Sequence, residues 1–89
     1  MIAREINIIN KLGLHARAAA KFVTCANQYL SDIRLKYNGK EVNGKSIMGV
    51  MMLAAAKGAG LTLTAEGEDE AEAVSALEAL VADRFGEDE

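Results

Sequence analysis

The chain has no proline and no tryptophan, a single cysteine, a single histidine and only four aromatic residues, Phe22, Tyr29, Tyr37 and Phe85. So small an aromatic set makes stacking on exposed bases a poor candidate activity. Cys25 alone cannot close an internal disulfide, and a thiol in a small unstapled domain fits a reducing cytoplasm. Its apolar neighbours Phe22, Val23 and Ala26 favour a buried structural role for it. One histidine without a second, and without a paired thiol, leaves metal ligation poorly supported. Long hydrophobic runs are missing too: the longest, Ile47 to Ala56, is ten residues, about half of what a helix needs to cross a bilayer. Arg4 and Glu5 interrupt the stretch where an export signal would need apolar residues. A soluble cytoplasmic protein is expected, with no nucleic-acid partner and no membrane insertion.

What is present is a chain of 89 residues, half of them hydrophobic. Folding at this length buries roughly 63% of the unfolded chain's surface, enough for one modest core. Without linkers or low-complexity segments, residues 1–89 are expected to form a single, monomeric domain. The net charge of −3 conceals an asymmetry: residues 1–57 hold nine Lys/Arg and three Asp/Glu, whereas residues 58–89 hold one and ten. A basic front and an acidic back suit an oriented approach to an acidic partner protein, although an ordinary solvated face explains them equally well.

Ile2 to Ile9 reads as a strand, and Asn10 to Gly13 breaks it. Apolar residues at helical spacing (Ala19, Phe22, Val23, Ala26) predict a helix over Ala16 to Tyr29. Strict alternation over Ile33 to Tyr37, followed by Asn38-Gly39 and Lys40 to Val42, predicts an antiparallel hairpin. Ser46 is suited to N-cap a helix over Ile47 to Ala56 that stops at Lys57-Gly58. Leu61 to Ala65 alternates again. Ala73, Val74, Leu77, Leu80 and Val81 then form one stripe of a last helix whose start carries acids. Gly86 to Glu89 is expected to fray. The order β-α-β-β-α-β-α, with strands that have one wet face, predicts an α+β fold: a four-stranded antiparallel sheet covered on one side by three helices.

Two motifs carry possible chemistry. Gly39 to Ser46 satisfies the phosphate-loop pattern G-x-x-x-x-G-K-[ST]. A phosphate loop follows a buried parallel strand, whereas here Arg34 and Lys36 alternate with the apolar residues, the pattern contains its own Asn-Gly turn, and no apolar strand ends in a metal-binding Asp. Nucleotide binding is therefore set aside. The second motif is Gly13-Leu14-His15-Ala16-Arg17. A lone histidine near a turn is most often structural, but His15 falls where a helix begins, and unpaired N–H groups there favour an anion. Arg17 adds a planar cation suited to phosphate oxygens. Neutral imidazole has a nitrogen lone pair that attacks phosphorus, and phosphoryl transfer needs mainly positioning and charge neutralisation. A Ser-His-Asp hydrolase lacks both an evident Asp partner and room for a cleft.

At these residues, and over Asn43-Gly44-Lys45-Ser46-Ile47-Met48-Gly49-Val50-Met51, the chain closely resembles the HPr family, the histidine-containing phosphocarriers of the bacterial phosphoenolpyruvate:sugar phosphotransferase system. The resemblance covers essentially the whole chain. It implies an open-faced β-sandwich and a phosphoryl group received on His15 Nδ1 from phosphorylated Enzyme I and passed to an Enzyme IIA domain. Such a protein is phosphorylated within a relay and needs no cofactor. Arg17 would neutralise the phosphate, and the N–H groups of Ala16 and Arg17 would hold its oxygens. Ser46 matches the site of the HPr kinase/phosphorylase, and Ile47, Met48, Gly49 and Met51 match the partner-docking segment. The methionines have both a core and an adaptable-surface reading, and a ten-residue apolar run on one helix leaves some side chains exposed. The family usually has Pro after the arginine, where its fixed φ pre-organises the helix; Ala18 stands there instead. The alternatives left open are a regulatory module acting mainly through phospho-Ser46 and a carrier of a nitrogen-related branch.

Overall fold

Alternation in the strand segments is realised as a four-stranded sheet with one apolar and one wet face. A computed structural model describes residues 1–89. Its elements are β1 (Ile2–Asn7), α1 (Ala16–Ala26), β2 (Asp32–Tyr37), β3 (Lys40–Asn43), α2 (Ile47–Met52), β4 (Gly60–Glu66) and α3 (Glu70–Ala82), followed by a 3-10 turn over Arg84–Gly86. The strands lie in the order β1-β4-β2-β3, and every neighbouring pair is antiparallel. This is the expected α+β architecture.

Register explains the core. Leu35 faces Leu63 and Ile33 faces Ala65 across β2 and β4, while Ile6 faces Leu61 across β1 and β4. Ile6 is buried and the other five are fully so, whereas Asp32, Arg34 and Lys36 between them are exposed. Ala18, Ala19, Phe22, Val23 and Ala26 of α1 cover this face together with Ala73, Val74, Leu77 and Val81 of α3. Leu80, expected in the same stripe, is only partly buried. Asn38 and Gly39, at φ 51° and 79°, form the tight hairpin turn that Asn-Gly favours.

Two helices are shorter than expected. α1 stops at Ala26 because Asn27 turns its side-chain amide back onto the Val23 carbonyl at 2.9 Å, and the next two N–H groups bond three residues back rather than four. α2 stops at Met52, before Lys57-Gly58, by the same tightening: Leu53 bonds Val50 and Ala54 bonds Met51. Ala54 then enters the left-handed region at φ 50°. Gly58 instead ties the segment before β4 to the one after β1, donating its N–H to the Ile8 carbonyl at 2.7 Å. β1 ends at Asn7, so Ile8 and Ile9 lie beyond the strand.

Residues Gly86 to Glu89, expected to fray, are tied down. Arg84 and Phe85 take left-handed backbone angles, which cost a side-chain-bearing residue about 1–2 kcal/mol each. Phe85 is fully buried in return, a gain of about 1.5–3 kcal/mol, and Lys21 Nζ donates to its carbonyl at 2.7 Å. The end of the chain is thereby aimed back across the start of α1. Cys25 is half-buried rather than fully enclosed, and that burial raises its thiol above the ordinary range.

Candidate functional site

Gly13 prepares the site. Its φ of +69° suits glycine, and a Cβ there would lie 2.5 Å from the Ala55 carbonyl oxygen. That same carbonyl accepts the Leu14 N–H at 2.9 Å. The segment after α2 therefore clamps the loop that presents the histidine.

His15 is the N-cap of α1, with extended backbone angles and no capping bond from its own side chain. Its carbonyl accepts the Ala19 N–H at 2.9 Å, while the N–H groups of Ala16, Arg17 and Ala18 find no partner within the protein. These are the orphan donors of a helix start, carrying the positive end of its dipole. Arg17 is exposed and in no ion pair. Ala18 is fully buried and lies in the first turn of α1.

The ring is held from the other side. Its Nε2 lies 2.5 Å from Glu87 Oε2, and Nδ1 has no hydrogen-bond partner. Asn10 Nδ2 donates to Glu87 Oε1 at 2.9 Å and to the Gly13 carbonyl at 2.8 Å. Asn10 is itself fully buried. Its hydrogen bond and, second to it, the one from His15 hold the Glu87 carboxyl below the usual carboxylate range. The Lys11 N–H bonds the Glu89 carbonyl, and a cleft of about 560 Å³ opens among Lys11, Leu12, His15, Ala16, Arg17 and residues 87–89. An imidazole with one ring nitrogen engaged and the other free, beside a cation and unpaired N–H groups, can accept and stabilise a phosphoryl group.

The second motif lies elsewhere. Ser46 is the N-cap of α2 and accepts the Gly49 N–H at 3.1 Å. Lys45 Nζ bonds the Tyr29 carbonyl and Asn27 bonds the Lys45 carbonyl, so Ser46 sits by the end of α1. That helix has 11 residues and spans about 16 Å, which separates Ser46 from the His15 end. Ile47, Met48 and Met51 are 43%, 72% and 39% exposed, with Leu12 and Met52 exposed as well. Gly49 is partly exposed. The phosphate-loop pattern is spent on the fold: the N–H groups of Gly44 and Ser46 bond the Ile33 and Asn43 carbonyls, and that of Lys45 bonds Asn43 Oδ1.

Asn10, Lys11, Leu12 and Glu87 are the site residues that sequence reasoning passed over. Asn10 to Leu12 adjoin the motif, but nothing local marks Glu87, which is 72 positions from His15.

A family model described as "PTS HPr component phosphorylation site" matches residues 2–83. Phosphocarrier protein HPr of Pseudomonas aeruginosa is 59% identical over the full length of both chains, and that of Cupriavidus necator is 55% identical, again over both in full. The crystal structure of HPr-C-His from Thermoanaerobacter tengcongensis superposes with a TM-score of 0.96 at 47% identity, covering all of both chains. No helix of the protein is long and apolar enough to cross a membrane. The chain belongs to the HPr family of phosphocarriers of the phosphotransferase system.

Proposed function

We propose that His15 Nδ1 accepts a phosphoryl group from phosphorylated Enzyme I and passes it to Enzyme IIA domains. The observation that carries this reading is the free Nδ1 at the N-cap of α1, next to three unpaired N–H groups. In the transfer the Nδ1 lone pair forms the N–P bond while the bond from phosphorus to the donor breaks and leaves its electron pair on the donor. Arg17 and the N–H groups of Ala16 and Arg17 neutralise the phosphoryl oxygens. The protein works as a single domain in the cytoplasm, and the exposed Ile47, Met48 and Met51, with the partly exposed Gly49, form an adaptable docking surface for its partners.

Ser46 is the proposed site of the HPr kinase/phosphorylase in hosts that have one. A phosphoserine is electrostatically tolerated at a helix N-cap, so its effect falls on docking rather than folding.

Incubation with Enzyme I and phosphoenolpyruvate, followed by mass spectrometry, tests the relay. One acid-labile, base-stable phosphate is expected on the wild type and none on His15→Ala. Arg17→Ala is expected to slow labelling with the fold intact. Equal labelling of wild type and His15→Ala would overturn the assignment. For Ser46, the kinase with ATP is expected to modify the wild type and leave Ser46→Ala unmodified.

A further inference from the structure

The carboxylate at His15 Nε2 comes from the far end of the chain, and its placement is built rather than incidental. Left-handed backbone at Arg84 and Phe85 turns the chain, and the buried Phe85 anchors that turn. Fully buried Asn10 then grips Glu87 Oε1 while bonding the Gly13 carbonyl of the histidine loop itself. Glu87 is left with one oxygen on the amide and the other on the ring. Its side chain is only 15% exposed, although Lys11 and Arg17 border the same cleft and offer it simpler partners.

We propose that Glu87 is a positioning residue for phosphoryl transfer: accepting the Nε2–H of His15, its carboxylate fixes the neutral tautomer in which the Nδ1 lone pair is free. A neutral imidazole has one N–H and one lone pair, and a partner that accepts at one nitrogen leaves the other as the nucleophile. Carboxylates orient histidines in this way in hydrolase triads and around metals. As the N–P bond forms at Nδ1, the ring gains positive charge shared between both nitrogens. Nε2 keeps its proton, and the fixed negative charge of Glu87 balances what develops. No proton moves. The bond also restricts rotation of the ring, holding Nδ1 toward one line of attack.

The inference rests on the reading of His15 as the phosphoryl acceptor, and two measurements separate the two. In the unphosphorylated protein, ring 15N chemical shifts recorded at alkaline pH report the tautomer without any transfer. A protonated Nε2 and an unprotonated Nδ1 are expected in the wild type. In Glu87→Ala the two shifts should move toward each other, and Glu87→Gln, which keeps an accepting oxygen, should recover part of the difference. In the Enzyme I assay, turnover with Glu87→Ala as acceptor should fall about tenfold with KM unchanged, since docking is not altered. A backbone NMR spectrum matching the wild type outside the tail shows that the variant is folded. Wild-type shifts in Glu87→Ala, or an unchanged or raised turnover, would overturn the positioning role; a raised turnover would show that the tail obstructs the site. A wild type that takes no label would overturn the carrier reading and the positioning role with it, even with the tautomer fixed as expected.

Discussion

Gly13 holds the loop that presents His15: its φ is +69°, and a Cβ there would meet the Ala55 oxygen at 2.5 Å. Gly13→Ala is therefore expected to cost about 1–3 kcal/mol from the left-handed conformation alone and to displace the Leu14 N–H from Ala55. Thermal unfolding should show the lower Tm, with slower labelling of His15; a wild-type Tm would mean that the loop relaxes freely. His15 and Arg17 are legible in the sequence because what they need, a helix start and a neighbouring cation, is encoded within five residues; Glu87 is not. Its partner is 72 positions away, and no local pattern distinguishes it from Asp88 and Glu89.

Strands were the most legible elements, because a period of two puts Ile33, Leu35, Leu61, Leu63 and Ala65 on one face whatever the rest of the chain does. Helix ends were the least legible. The apolar run Ile47 to Ala56 is continuous in composition, yet the helix ends at Met52, since Ala55 is taken up by the histidine loop, a tertiary demand that propensity does not contain. The start of α3 carries another hidden tie. Asp69 accepts bonds from the N–H groups of Leu30 and Ser31 and from Ser31 Oγ, joining the α1–β2 connection to α3. The Ser31 hydroxyl, with the Leu30 N–H next in effect, lowers its carboxyl below the ordinary value. A carboxylate depressed in the folded state contributes stability that is present above its unfolded value and lost as pH falls through its folded value. The wild-type Tm should accordingly drop as pH descends below ~4. Asp69→Asn should have a lower Tm at neutral pH and a shallower acid fall. Parallel acid limbs for the two proteins would show that Asp69 contributes nothing to the pH dependence.

Across the whole molecule, charge and apolar exposure are the two features on which the proposed partner docking draws. The basic excess of residues 1–57 includes Lys11 and Arg17 at the cleft, and the exposed Leu12, Ile47, Met48, Met51 and Met52 supply apolar area at the ends and along the side of the α1–α2 pair. The acids of residues 58–89 fall largely on α3 and the segments flanking it, apart from the chain end that returns to His15. Electrostatic attraction to an acidic partner acts on encounter rather than on chemistry. Raising ionic strength from ~0.01 M to ~0.1 M shortens the Debye length from ~30 Å to ~10 Å, so kcat/KM for labelling by Enzyme I should fall several-fold while kcat stays constant. An unchanged kcat/KM would assign docking to the apolar surface alone.

NMR on 15N-labelled protein after phosphorylation by Enzyme I and phosphoenolpyruvate reads out whether His15 carries the phosphoryl group and on which nitrogen. A single 31P resonance coupled to Nδ1 of His15 is expected, with Nε2 still protonated. Phosphorus coupled to Nε2, or no phosphorus on the ring, would overturn the assignment of His15 Nδ1 as the phosphoryl acceptor.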